Sequence, residues 1–153
     1  SLGDAGIVDD EGYIHVMART DDIINVAAHR LSTGALEQVI TAHPDVAECA
    51  VVGADCDIKG QVPVGLLVLR DGSEAQPDNI ISEVRASVRA EVGAIASLQY
   101  VGVVDALPKT RSGKTLRGII QAVADGKDYT LPGTIEDASA VDAVIRTLER
   151  RSV

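Results

Sequence analysis

The stretch "VAECAVVGADCDIKGQVPVGLLVLR", residues 46–70, decides the fold. Two apolar runs rich in Val and Leu, 46–54 and 62–70, flank a polar segment, "DCDIKGQ". Runs this short and this apolar, bounded by turn residues, read as adjacent strands of a buried sheet. Upstream, residues 33–42 place Leu36, Val39 and Ile40 on one helical face, and "HPDV" ends that helix, because Pro44 disfavours helical geometry in the residue before it. Downstream, Asp78 is read as the N-cap of a helix carrying Ile80, Ile81, Val84, Val88 and Val92. "QYVGVVDAL", 99–107, is a third strand, and a helix is expected over 115–124. Residues 5–19 alternate apolar and polar on both sides of "DDEG" and read as a β-hairpin. "TDDIINVAAHRLS" is a short apolar piece between polar ends. After Gly126 a loop-like stretch leads to residues 139–150, where Val141, Val144, Ile145 and Leu148 make an amphipathic helix. The expected fold class is α+β, with a small central sheet of about three strands flanked by helices, a β-hairpin before it and a helical tail after it.

Composition narrows the function. The 153-residue chain is 46% apolar but almost wholly aliphatic, with no Trp, no Phe and three Tyr, and its net charge is −9. Such a surface argues against nucleic acid, which wants cations and stacking aromatics, and against an anionic membrane. No apolar run approaches the length that spans a bilayer, and no signal peptide is visible. Cys49 and Cys56 lie seven positions apart, which is no zinc or redox spacing; no metal site is expected, and Cys49 is read as a small buried hydrophobe. The opening "SLGDAG" does not look like a natural start, so the chain is expected to be cut from something longer.

Against that acidity, "LPKTRSGKT", 107–115, is the cationic exception. Lys109, Arg111, Lys114 and Arg117 are four of the fourteen basic residues, within nine positions. "SGKT" resembles the end of a phosphate-binding loop, but Pro108 stands where the first glycine belongs, and proline has no N–H to offer a phosphate. A solvated loop is the plain reading. The functional one is an anion shared by Lys114 and the start of the following helix, with Gly113 making the loop deformable.

Three segments then carry a resemblance: "GDAGIVDDEGYIHVMARTDDIINVAAHRLS" (3–32), "HPDVAECAVVGADCDIKGQVPVG" (43–65) and "DALPKTRSGKTLRGII" (105–120). In that order they resemble the C-terminal part of the adenylate-forming, AMP-forming acyl-CoA synthetases, nearest the acetyl- and propionyl-CoA synthetase branch. The resemblance implies a ligase that makes an acyl-adenylate from a short-chain carboxylate and ATP, then transfers the acyl group to coenzyme A. It implies Mg2+ bound with ATP outside this chain, and a large N-terminal domain as partner. Residues 1–20 would be that domain's last hairpin, 21–125 a mobile lid and 126–153 a C-terminal extension. By position, Lys114 matches the catalytic lysine bridging carboxylate and α-phosphate. Asp4 and Arg19 match ribose contacts, Arg30 a phosphate-facing residue and Asp21 the hinge. Arg89 lies where some members hold the 3′-phosphate of coenzyme A. Ala28 replaces a glycine that lines the pantetheine tunnel, a departure that bears on the thioester step. Relatives are regulated by acetylation, which implies a lysine acetyltransferase and deacetylase acting on Lys114. A cytoplasmic enzyme is expected, or one of the mitochondrial matrix in a eukaryote. Two other readings stay open: a free-standing nucleotide- or phosphate-sensing module, and an adenylation domain that serves a carrier protein.

Overall fold

The computed structural model describes residues 22–150 throughout and, before them, the backbone of two strands, residues 4–8 and 14–19. Those two strands, β1 (Asp4–Val8) and β2 (Ile14–Arg19), pair antiparallel as the expected hairpin. The order that follows is β3 (Ile23–Val26), β4 (His29–Ser32), α1 (Thr33–Thr41), β5 (Val46–Cys56), β6 (Gly60–Leu69), α2 (Pro77–Glu91), β7 (Tyr100–Val103), α3 (Arg117–Asp125) and α4 (Ser139–Glu149).

The α+β class holds, but the central sheet has five strands rather than about three. β5 and β6 pair antiparallel along their whole length, from Val46↔Leu69 to Cys56↔Gly60. The other edge of β6 is shared. Its first residue, Gly60, meets Val26 of β3, and its later half pairs in parallel with β7, from Val64↔Tyr100 to Leu67↔Val103. A parallel pair needs a crossover between its strands, and α2 supplies it. The two unexpected strands, β3 and β4, form a hairpin of four residues per arm. Their turn is Ala27–Ala28, without the Gly, Asn or Asp that marks a two-residue hairpin, so the pattern hides it.

β5 and β6 are apolar because both faces of the sheet are covered. Alternation along β5 sends Cys49 and Val51 to one face and Ala50, Val52 and Ala54 to the other. The first face packs Leu36 and Ile40 of α1 with Ile80, Val84 and Val88 of α2. The second packs Ile120 and Ala124 of α3 with Val144 and Leu148 of α4. Each fully buried Leu or Ile side chain contributes about 1.5–3 kcal/mol by leaving water.

The helix ends show which local signals were decisive. Ser32 caps α1, its Oγ accepting the Ala35 N–H at 3.2 Å. The N-cap position of α2 is Gln76, whose side chain makes no capping hydrogen bond, and the helix begins at Pro77, so Asp78 is not the N-cap as expected. Proline is at ease at the first helical position, where its missing N–H is no loss, so Asp78 falls inside the first turn and acts only on the helix dipole. Gly126 closes α3 in the left-handed region, at φ +66°.

Candidate functional site

The Lys114 segment is a closed turn. The Thr110 N–H donates to the Lys114 carbonyl at 2.9 Å, and the Gly113 N–H to the Thr110 carbonyl at 2.8 Å. The Lys114 N–H reaches Thr110 Oγ1 at 3.1 Å, and Lys109 bridges Thr115 antiparallel below the turn. Gly113 sits at φ +92°, a conformation L side chains resist, so its role is to let the turn close rather than to keep the loop deformable. α3 begins only at Arg117, three residues after Lys114, so Lys114 does not stand at a helix N-terminus as expected. The residues between are spent closing the turn.

A second segment braces the turn from outside. The Arg111 N–H donates to the Thr134 carbonyl at 2.9 Å, and the Glu136 N–H to the Lys109 carbonyl at 2.8 Å, with Thr110 and Ile135 bridged between them. The stretch just before α4 therefore lies along the turn like an added strand.

The four cations have divided roles. Lys109 Nζ pairs with Glu48 at 2.7 Å. Arg117 grips Glu37 with two nitrogens, Nε to Oε2 at 2.9 Å and Nη2 to Oε1. Arg111 and Lys114 are exposed, and no carboxylate among the described residues pairs with the Lys114 ammonium. Lys114 lines a cleft of about 640 Å³ with Asp22, Arg117, Ile119, Tyr129 and Pro132. An exposed cation at the edge of a partly apolar cleft can meet an anion without first breaking an internal ion pair.

The other expected site residues lie elsewhere. Arg30 is exposed on β4, across from Asn25. Arg89 stands in the last turn of α2, where it lines a separate cleft of about 620 Å³ with Ser82, Arg85 and Ser97. Ala28 is exposed in the β3–β4 turn, but the left-handed residue there is its neighbour Ala27, at φ +54°. Asp4 and Arg19 are register partners across the β1–β2 pair. Their side chains, and Asp21 altogether, lie outside the described residues. Cys49 offers no nucleophile: burial first, and the Glu37 carboxylate second, push its thiol up to about 12.

A family model described as "AMP-binding enzyme C-terminal domain" matches residues 35–114, more than half of the chain, and ends on Lys114. The chain belongs to this family. Among curated relatives of this C-terminal domain, the human mitochondrial acyl-CoA synthetase short-chain family member 3 is 45% identical over 96% of the chain and 21% of its own length. The acetyl-coenzyme A synthetase of Pyrobaculum aerophilum is 44% identical over 96% of the chain and 22% of its own length. Among solved structures, the anthranilate CoA ligase AuaEII, in complex with anthranoyl-AMP, superposes with a TM-score of 0.65 at 27% identity, over 80% of the chain and 24% of its own. The chain thus spans between a fifth and a quarter of the length of such relatives.

Sequence reasoning missed three parts of the C-terminal domain's site: Glu37, Tyr129 and the bracing stretch 134–136. Only Glu37 left a trace. It shares the helical face of Leu36 and Ile40, where a carboxylate needs a partner.

Proposed function

We propose that this chain is the lid domain of a longer acid–thiol ligase. The reaction has two steps. A carboxylate oxygen of a short-chain acid attacks the α-phosphorus of ATP, and pyrophosphate leaves. The coenzyme A sulfur then attacks the acyl carbonyl of the adenylate, its proton is lost, and AMP leaves. The observation that carries this reading is the exposed Lys114 ammonium on a closed, braced turn whose flanking cations are neutralised from within. Two anions must approach each other in the first step, and negative charge builds on the transferring phosphoryl group. A fixed cation lowers that barrier because it needs no reorganisation as the charge develops.

In this reading Asp4 and Arg19 hold the nucleotide ribose, a diol to which one carboxylate can accept two hydrogen bonds at once. Arg30 faces the phosphate, Asp21 is the pivot between the two steps, and Ala28 and Arg89 meet coenzyme A. Mg2+ arrives with ATP on the N-terminal domain. The relatives' names support a coenzyme A acceptor and a short-chain acid, and the mitochondrial relative supports a matrix location in a eukaryote or the cytoplasm otherwise. Among the described residues no helix is long and apolar enough to cross a membrane.

The test is pyrophosphate release by the full-length protein over a panel of short carboxylic acids, followed by thioester formation with free coenzyme A. Release that no acid stimulates would overturn the reading, and transfer only to a carrier-protein phosphopantetheine would move it to the carrier-dependent class. The exposure of Lys114 also suits a lysine acetyltransferase and a deacetylase, since acetylation removes the charge. Enzyme acetylated at Lys114 is expected to have lost the first step alone; normal adenylation would end that idea.

A further inference from the structure

Glu37 does not line the Lys114 cleft, yet it reaches three elements at once. It belongs to α1, accepts both nitrogens of Arg117 at the start of α3, and accepts the Val51 N–H of β5 on Oε2 at 2.9 Å. The pair spans 80 positions of sequence. It is largely withdrawn from water, with side-chain exposures of 14% for Glu37 and 26% for Arg117. A withdrawn ion pair is a weak source of stability compared with apolar packing, but a strong way to specify one arrangement.

The placement fits that use. Arg117 is the first residue of α3 and follows Lys114 by three positions. A cation at a helix N-terminus opposes the helix dipole. Without Glu37, the Arg117 charge would lose its two-nitrogen grip at the positive end of α3, beside Lys114 in the same cleft. At the other end of the turn, Lys109 is held to Glu48 of β5. One end of the segment that presents Lys114 is thus pinned to β5 by Glu48, and the other to α1 by Glu37, which the Val51 N–H ties to β5; the pin at Arg117 also offsets a second cation in the cleft.

We infer that Glu37 is a positioning residue for Lys114, acting through Arg117 to fix how the turn passes into α3 and which cation in the cleft stays available to an anion. The inference deepens the ligase reading and rests on it for its kinetic consequence. Because Glu37 touches Arg117 and does not line the cleft, its loss should displace Lys114 without removing it. A displacement of that kind lowers the rate of the step Lys114 serves more than it weakens ground-state binding.

The experiment compares the full-length protein with its Glu37→Gln and Arg117→Lys variants. Gln keeps the shape and an acceptor for the Val51 N–H while losing the charge. Arg117→Lys keeps a charge but loses the two-nitrogen grip. For Glu37→Gln the expected kcat of acid-dependent pyrophosphate release falls about tenfold to a hundredfold, with KM for ATP and acid within about threefold. Thioester formation from supplied acyl-adenylate stays within about twofold. Amide exchange at Thr110, Gly113 and Lys114 should rise while that of the β6 core does not, and Arg117→Lys should show the same pattern more weakly. Equal loss of both half-reactions with general loosening would make Glu37 merely structural and overturn the proposal. So would unchanged adenylation and unchanged exchange at the turn. If Glu37→Gln does not fold, Arg117→Lys decides by the same two readouts. If the parent protein releases no pyrophosphate with any acid, the ligase reading fails by itself, and exchange at the turn still reports whether Glu37 holds it.

Discussion

Two tight turns of this domain solve the same backbone problem in opposite ways. The Lys114 turn puts glycine where φ is positive, at +92°, and then adds an ion pair at each end and a bracing stretch along one side. The β3–β4 turn puts alanine at its positive φ, +54° at Ala27, joins two arms of four residues, and is tied by a hydrogen bond from the Ala27 N–H to the Lys59 carbonyl at 2.7 Å. The first turn is relaxed in its backbone and costly in charge organisation; the second stores strain and organises little. In the proposed reaction the Lys114 turn presents one ammonium to a phosphate, and that use needs a fixed position. The β3–β4 turn carries no such charge, and its modest strain is held by the hydrogen bond to Lys59.

The largest effect should come from Lys114→Ala in the full-length protein. Removing one preorganised charge-stabilising donor typically costs about 10²–10³ in rate, so adenylation should fall by that factor. Thioester formation from supplied acyl-adenylate should survive, and the melting temperature should stay put, since Lys114 is exposed and makes no ion pair among the described residues. Single-turnover rates of the two half-reactions check this. An equal loss in both would mean the turn is not built for the first step.

That contrast was only partly visible before the structure. The β5–β6 pair was legible as two continuous apolar runs around a polar turn, and α2 and α4 by their helical period, and tertiary packing did not have to override anything. β3 and β4 were not, because four-residue strands joined by Ala27–Ala28 carry no turn signal. Lys114 was legible as a cation in an acidic chain, but its setting was not. The segment 115–116 looks helical locally, whereas Thr115 pairs with Lys109 and the Leu116 N–H donates to the Pro108 carbonyl at 2.9 Å, which draws it into the turn. Glu37 and Arg117 meet across 80 positions, and no spacing rule reaches that far.

The brace of the Lys114 turn leads straight into α4, so loosening α4 tests whether the brace depends on it. Gly102 of β7 lies against α4. A Cβ there would run into Thr147 Cγ2 of α4 and lie 2.9 Å from the Tyr100 ring, whose hydroxyl donates to the Thr147 carbonyl at 3.0 Å. Gly102→Ala should therefore destabilise by about 1–3 kcal/mol, the usual cost of overpacking. Urea unfolding measures it, and a change under about 0.5 kcal/mol would show that α4 yields freely.

Gly113→Ala is a smaller and cleaner insult to the Lys114 turn. No atom lies within 4 Å of the Cβ it would add, so the only cost is backbone strain at φ +92°. That cost is about 1–2 kcal/mol. Gly113→Asn should recover part of it, because asparagine tolerates positive φ better than alanine. If Ala and Asn at this position were equally stable, the turn would have relaxed to another conformation, and the claim of a fixed turn would weaken.

The smallest effects separate two adjacent alanines. The resemblance to the synthetases implies a glycine where this chain has Ala28, but Ala27 is the only non-glycine residue among those described with a positive φ. Two terms compete when glycine replaces either one. Glycine relieves about 1 kcal/mol of left-handed strain where that strain exists. It also costs roughly 0.5–1 kcal/mol in lost chain entropy wherever it is placed. At residue 27 the two nearly cancel, with relief ahead, so Ala27→Gly should be neutral or stabilising by up to about 0.5 kcal/mol. At residue 28 only the cost remains, and Ala28→Gly should destabilise by about 0.5–1 kcal/mol. Both variants leave the buried face untouched, because residues 27 and 28 are exposed, so packing does not confuse the comparison. Paired denaturant midpoints measure the difference directly. The reverse order, with glycine better tolerated at 28 than at 27, would mean that the strain lies at Ala28 after all, and that the Ala28 methyl acts on the backbone itself.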